Sequence, residues 1–221
     1  MAQIDIQKPI LDANDRIAAE NRKRLDDNGI YMLDLLASPG AGKTSLILAT
    51  IERLKERYKI AIIEGDIASD VDSQKVKSAG VPAIQINTGG LCHLESQMIS
   101  RALDALDEQE GGLAALDIII IENVGNLVCP VDFYLGEDAK VMVLSVPEGH
   151  DKPLKYPGIF QASRAVALNK IDVMPAFDFD TDAFRASVAQ LNPKAPVFAL
   201  SATHGDGVDE WINWILGQLA H

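Results

Sequence analysis

The chain is poor in cysteine, in basic charge and in long apolar runs. Among its 221 residues only Cys92 and Cys129 carry a thiol. With so few thiols, no charged-then-apolar leader and no apolar run of spanning length, secretion and membrane insertion lack support, and a reducing cytoplasm is the expected compartment. Basic residues are outnumbered, Lys+Arg 20 against Asp+Glu 32, for a formal net charge of −12 and a pI near 4.7. A sequence-independent grip on DNA, RNA or an anionic bilayer works against such a field, so neither nucleic acid nor membrane is an expected partner. Internal repeats and low-complexity tracts are also missing. What is present is ordinary for a globular protein, 48% hydrophobic and 24% charged residues, over a length that suits one good-sized domain.

Short β-branched runs alternate with helical patterns along most of the chain. Strands are expected at Ile30–Leu36, Lys59–Glu64, Pro82–Ile86, Ile118–Glu122, Val141–Val146, Ala165–Asn169 and Pro196–Leu200. Runs such as Ile118-Ile119-Ile120-Ile121 are apolar at consecutive positions, as strands covered on both faces of a parallel sheet must be. Helices are expected at Lys43–Arg57, Asp72–Ser78, His93–Asp107, Thr181–Leu191 and Val208–Leu219, long enough to act as crossovers. Residues 1–29 differ, with many charges around a sparse stripe of Ile10, Ile17 and Leu25 before Gly29. They read as an exposed N-terminal helical extension, a solvated helix docked on the domain in preference to a partner-binding arm. Residues 30–221 form the main domain.

The first strand runs into Ala37-Ser38-Pro39-Gly40-Ala41-Gly42-Lys43-Thr44-Ser45, where a helical pattern begins. Small residues let successive backbone N–H groups turn inward around a phosphate, and the new helix adds its positive end. Lys43 is expected to reach the β- and γ-phosphates and Thr44 to ligate Mg²⁺. The motif G-x-x-x-x-G-K-[ST] asks for glycine where Ala37 stands; its other elements are in place. The fold class that follows is an α/β P-loop NTPase, a mainly parallel central sheet flanked by helices on both faces.

Asn169-Lys170-Ile171-Asp172 matches the N-K-x-D element that selects guanine. A carboxylate at Asp172 accepts both N–H groups of guanine's Watson–Crick edge, which adenine does not offer. Asn169 supports the loop and Lys170 packs its stem on the base, while Ser201-Ala202-Thr203 resembles the loop whose backbone contacts the guanine O6. Sensors of the third phosphate are expected at strand ends beside the phosphate loop. Asp66, Asp70 and Asp72 follow one strand, and Glu122-Asn123-Val124-Gly125 follows another. Asp66, Asp72 and Glu122 are candidate Mg²⁺ or water-orienting carboxylates, and the Gly125 N–H a γ-phosphate contact; Asp70 fits solvated surface or a helix cap better.

Both cysteines fall near these sensors, in Gly89-Gly90-Leu91-Cys92-His93 and Leu127-Val128-Cys129-Pro130. Two thiolates and an imidazole form a soft set suited to Zn²⁺ or Ni²⁺, whose fourth position falls to water, another side chain or a symmetry-related copy. The alternative is that both cysteines are small buried hydrophobes and His93 a helix-start polar residue.

Three longer stretches carry a resemblance: Cys-His-Leu-Glu-Ser-Gln-Met at 92–98, Ile-Glu-Asn-Val-Gly-Asn-Leu-Val-Cys-Pro at 121–130 and Glu-Gly-His-Asp-Lys-Pro-Leu-Lys-Tyr-Pro at 148–157. Over about residues 30–219 the chain resembles the hydrogenase nickel-incorporation GTPases, the HypB family. The resemblance implies a dimeric GTPase, cycling between GTP and GDP, that helps load nickel into [NiFe]-hydrogenase and sometimes serves urease. Its implied partners are other maturation proteins and the hydrogenase large-subunit precursor. It implies that Cys92, His93 and Cys129 hold Ni²⁺ or Zn²⁺ at the dimer interface. It also implies that a lysine in the 148–155 segment, Lys152 in preference to Lys155, reaches the partner subunit's nucleotide. Some relatives begin with a cysteine-rich or histidine-rich nickel tract; residues 1–29 have neither residue, so N-terminal nickel capture is not expected. His150 stands at a position expected to be acidic.

The expected mechanism is a switch. GTP and Mg²⁺ order the 66–72 and 122–125 loops, hydrolysis releases them, and Cys129 moves relative to Cys92 and His93. Hydrolysis is expected to be slow, since no internal arginine finger or water-positioning glutamine follows Gly125. The rival readings are a urease-accessory GTPase, a partition- or anion-pump-type P-loop ATPase, disfavoured by Ser38 where such loops carry an extra lysine, and a non-catalytic scaffold.

Overall fold

The structure is a computed structural model that describes residues 7–66 and 78–220. Seven parallel strands form one sheet in the order β3-β2-β4-β1-β5-β6-β7. They are β1 (Tyr31–Ala37), β2 (Ile60–Asp66), β3 (Ala83–Asn87), β4 (Ile118–Glu122), β5 (Ala139–Ser145), β6 (Ala165–Asn169) and β7 (Val197–Ala199). All seven expected strands are present. Among the described residues the α-helices are α1 (Gln7–Asn28), α2 (Lys43–Leu54), α3 (Ser96–Asp107), α4 (Lys152–Lys155), α5 (Pro157–Ala162), α6 (Thr181–Leu191) and α7 (Val208–Leu219). Because every strand runs the same way, Ala37, Asp66, Glu122, Ser145 and Asn169 all end on one edge of the sheet. β1 lies between β4 and β5, so the chain reverses its direction of travel across the sheet there, the place where open parallel sheets take their ligands.

Alternation along β1 sorts the core. Leu33 and Leu35 join the cluster under α2 and α7 with Leu46, Ile47, Ile51 and Trp211. On the opposite face Met32 packs with Leu25, Ile99 and Leu103 of α1 and α3, and Leu36 with Phe160 and Phe184 of α5 and α6. The Ile118–Ile121 run supplies both faces at once, which is why it is unbroken.

Three expectations need correction. α3 starts at Ser96 rather than His93, because Glu95 is extended (φ −118°, ψ 154°), and its carbonyl accepts the first helical N–H groups, those of Met98 and Ile99. α2 stops at Leu54 rather than Arg57; the N–H groups of Arg57 and Tyr58 both bond the Leu54 carbonyl in a closing turn. The N-terminal helix is more deeply docked than its stripe predicts. Ile10 is exposed, while Asn14, Ala18, Asn21 and Leu25 are buried. Asn21 donates to the carbonyls of Ser96 (2.9 Å) and Leu135 (3.1 Å), and Asn14 to that of Tyr134 (2.7 Å) while accepting from the Ser96 N–H (2.9 Å). Buried amides need such partners, and these lie far along the chain. The helix ends as expected at Gly29 (φ +68°), with Ile30 N–H on Leu25 O and Gly29 N–H on Asp26 O. The short helices α4 and α5 were not anticipated. The expected helix Asp72–Ser78 lies, except for Ser78, outside the described residues.

Candidate nucleotide and metal site

The phosphate loop occupies the turn between β1 and α2. Ala37, the position that departs from the motif, is the last residue of β1 and sits opposite Val143 of β5, so regular strand geometry serves there. The loop needs glycine further on. Gly42 has φ +96°, and a Cβ there would lie 2.4 Å from Nδ2 of Asn169. That amide donates to the Ala41 carbonyl (3.0 Å), and its oxygen accepts from the Ala202 N–H (3.1 Å). Asn169 therefore links the phosphate loop to the Ser201-Ala202 loop. Lys170, in the left-handed region at φ 62°, donates to the Gly40 carbonyl (2.7 Å). Lys43 is buried at the first turn of α2, beside Thr44 and Ser45, with Pro39 and Gly40 exposed. The hydrogen bond from Ser201 holds the Asp172 carboxyl below its ordinary value, keeping it an ionised acceptor.

The second sensor segment lies against the same loop. Glu122 ends β4 and accepts a hydrogen bond from the Thr44 hydroxyl (2.9 Å). A Cβ on Gly125 would come within 2.9 Å of the Pro39 nitrogen, so only glycine allows this approach. The pairing of the Thr44 hydroxyl and Glu122 carboxylate, two hard oxygens, suits Mg²⁺ chemistry. Asp66 closes β2, but its side chain, and all of Asp70 and Asp72, lie outside the described residues. Lys152 opens α4 with its ammonium 5.2 Å from the Tyr156 ring centre, whereas Lys155 pairs with Asp151 at 2.5 Å. His150 accepts from the Asp180 N–H (3.3 Å).

Cys92, His93 and Cys129 do converge, with one donor atom from each lying within 4.8 Å of the others. Cys92 Sγ is 3.7 Å from His93 Nδ1. The first two residues leave a turn after β3 in which the Thr88 hydroxyl and Leu91 carbonyl are bonded (2.9 Å). Cys129 opens a short 3₁₀ turn and is presented by Asn126, whose side-chain oxygen accepts from the Val128 and Cys129 N–H groups (2.8 and 3.3 Å). Hydrogen bonding to Cys129, with burial behind it, holds the Cys92 thiol above its ordinary value, and burial pushes His93 down. A soft divalent cation would reverse the thiol shift by taking both sulfurs as thiolates. His93 lies against Phe133 with ring centres 4.0 Å apart and planes tilted by 35°, and its buried Nε2 makes no hydrogen bond, the nearest carboxylate oxygen being that of Glu95 at 3.6 Å. Nδ1, on the side of Cys92 Sγ, is the ring nitrogen placed to serve a metal, and a small rotation would let the Glu95 carboxylate accept from Nε2–H. Leu91 and Val128, beside the two cysteines, are 41% and 61% exposed.

Sequence reasoning missed Asn126 and Glu95, whose polar side chains look like ordinary loop residues. It also missed His204, whose Nδ1 lies 3.1 Å from Ser201 Oγ and 3.8 Å from an Asp172 oxygen.

A glycine loop between a parallel strand and a helix, tied by Asn169 at the end of β6 to the loop that follows β7, defines a P-loop nucleotide-binding protein. Residues 33–199 match the CobW/HypB/UreG nucleotide-binding domain family. The hydrogenase maturation factor HypB of Azotobacter vinelandii is 50% identical over 213 residues, 96% of this chain and 69% of that protein. The hydrogenase/urease maturation factor HypB of Helicobacter pylori (strain J99) is 40% identical over 213 residues, covering 96% and 87%. The crystal structure of HypB from Helicobacter pylori in complex with nickel superposes with a TM-score of 0.88 at 39% identity, over 94% of this chain and 95% of that one. The chain belongs to the HypB family. Among the described residues no helix is long and apolar enough to cross a membrane.

Proposed function

We propose that this protein is a GTP-hydrolysing nickel chaperone that assists nickel insertion into [NiFe]-hydrogenase, with nucleotide state coupled to a cation seat made by Cys92, His93 and Cys129. The observation that carries this reading is the run from Glu122 to Cys129. Within it Glu122 is bonded to Thr44, Gly125 presses on Pro39 of the phosphate loop, and Asn126 holds Cys129. A third phosphate felt at Gly125 is thus felt at a thiolate four residues on, and coupling of this kind acts in both directions.

Guanine selection is assigned to Asp172 with Asn169, Lys170, Ser201 and Ala202, and phosphate binding to residues 39–45 with Gly125. Mg²⁺ would be held by Thr44 with Glu122 and, on the sequence pattern, Asp66 and Asp72; bound there it would offset charge developing on the phosphates. Nickel is the cargo; Zn²⁺ suits the same donors. The protein acts as a homodimer, with Leu91 and Val128 near the seam and Lys152 directed to the partner's nucleotide. Residues 30–221 are assigned as the GTPase domain and 1–29 as an N-terminal extension, of which α1 (Gln7–Asn28) is docked on that domain. Delivery to urease is the second reading, favoured by the combined hydrogenase/urease name of the Helicobacter pylori relative; deleting each maturation pathway separately decides between them.

The test is a nickel titration with GDP and with a non-hydrolysable GTP analogue. Different affinities are expected, and equal affinities remove the mechanism. Competition of labelled GTP by ATP checks the choice of base.

A further inference from the structure

A buried charged cluster lies behind both sites and is used by neither. Asp34, in the middle of β1, is 0% exposed, on the same face of the strand as Met32 and Leu36. Those neighbours belong to two separate apolar clusters, so Asp34 lies at the seam between them. Its oxygens accept from Asn123 Nδ2 (3.1 and 3.2 Å), and one lies 3.7 Å from the Lys140 ammonium.

Each of these two partners reaches a different half of the cation seat. Asn123 uses its oxygen to hold the N–H groups of Val124 (2.9 Å) and Leu94 (3.2 Å), the latter following His93 directly. Lys140 donates to the carbonyls of Pro130 (3.2 Å) and Phe133 (2.7 Å), just after Cys129, and pairs with Glu137 at 3.2 Å. Burying two carboxylates and an ammonium is no cheaper than packing apolar side chains of similar volume, so core stability alone does not account for them.

We propose that Asp34, Asn123 and Lys140 are positioning residues that hold the Cys92–His93 segment and the Cys129 segment at ligating distance and fasten both to the strand carrying the phosphate loop. Asn123 is the decisive member. It stands between Glu122, bonded to Thr44, and Gly125, packed on Pro39. A displacement of this segment by the third phosphate therefore pulls on Leu94 as well as on Cys129. The nucleotide would set the separation of the two halves of the seat, and not only the place of one ligand.

This inference rests on the cation seat and its coupling to nucleotide proposed above, and the experiment separates the two. Ni²⁺ alone is titrated into wild type, Asn123→Ala, Asn123→Ser and Asp34→Asn, each with GDP and with a non-hydrolysable GTP analogue, following thiolate-to-nickel charge-transfer absorption. A fluorescent GDP analogue reports retained folding. The expected result is about a tenfold loss of nickel affinity and a shifted absorption band in Asn123→Ala and Asp34→Asn. The ratio of nickel affinities in the two nucleotide states should also fall to within about twofold in Asn123→Ala. Asn123→Ser leaves a hydroxyl one bond short of the Leu94 N–H and should lose affinity much as Asn123→Ala does; it carries the test if Asp34→Asn fails to retain GDP. Variants that hold GDP and reproduce the wild-type affinity, band and ratio overturn the positioning role while leaving the proposed function intact. A wild type with no thiolate-bound nickel overturns the seat, and this inference with it. A wild type with equal affinities in both states removes the coupling, and the positioning role then stands or falls on the affinity loss alone.

Discussion

The two binding regions on the carboxyl edge of the sheet are built on opposite plans. On the nucleotide side the proposed work falls to contiguous stretches: residues 39–45 for the phosphates, 169–172 and 201–202 for the base, with Asn169 bonded to both Ala41 and Ala202. On the metal side the donors come from two separate loops, and their spacing is kept by residues that touch no cation, Asn126, Asn123, Lys140 and Asp34. A region made of contiguous motifs fails locally when altered. A region held from behind fails at a distance.

The largest expected effects break the comparison into its halves. Lys43→Ala should lower GTP hydrolysis by about a hundredfold or more, since the ammonium faces charge that develops on the phosphates. Nickel titrated without nucleotide should be unaffected. Conversely Cys92→Ser should weaken and shift the nickel charge-transfer band, leaving only Cys129 as a thiolate, and cost about a hundredfold in nickel affinity, a hydroxyl being a hard and weakly acidic substitute, with GDP affinity preserved. If either change spills fully into the other titration, the two regions are one.

A smaller effect, about ten- to a hundredfold in GTP affinity, is expected for Asp172→Asn, where a donor replaces an acceptor opposite guanine's N–H groups. Xanthine nucleotide, with an oxygen in place of the amine, should gain in the same competition assay. Gly42→Ala tests the stitching itself. Its Cβ meets Asn169 Nδ2 at 2.4 Å in a left-handed backbone, so thermal unfolding should show a loss of about 1–3 kcal/mol.

The last prediction concerns the support behind the metal side. Burial first, then Glu137, pushes the Asp34 carboxyl from 3.8 up to about 7, against the opposing pull of Lys140. The folded protein binds this proton more tightly than the unfolded chain does. Its contribution to stability is therefore complete below about pH 4 and is lost as pH rises through about 7. Denaturant unfolding from pH 4 to 7.5 should show that decline in wild type and a flatter profile in Asp34→Asn.

How much of this could be read from the sequence follows the same division. The strands were legible because covered parallel strands cannot alternate, and Thr181–Leu191 and Val208–Leu219 carried their own periodicity and start signals. Gly42, Asn169 and Asp172 were legible because the chemistry is local to a few residues. Asp34 was not, since one acid in an apolar strand has no local partner; Asn123 follows the neighbouring strand β4 and Lys140 lies on the other neighbour, β5. Asn14 and Asn21 misled for the same reason, as polar positions on a helix whose acceptors lie 75 to 120 residues away. The early start expected for α3 ignored the tie between Leu94 and Asn123, which keeps the cysteine–histidine pair out of the helix.

The docked helix α1 changes how the molecule can be trimmed. Through Asn14 and Asn21 it grips Ser96 behind one metal-bearing loop and Tyr134 and Leu135 behind the other, and Arg22 bonds the Gly136 carbonyl at 3.1 Å. A protein shortened to start at the first strand would keep every residue that meets nucleotide or cation, yet both loops would lose their outer fastening. Such a fragment would understate the cargo affinity of a chain that carries α1.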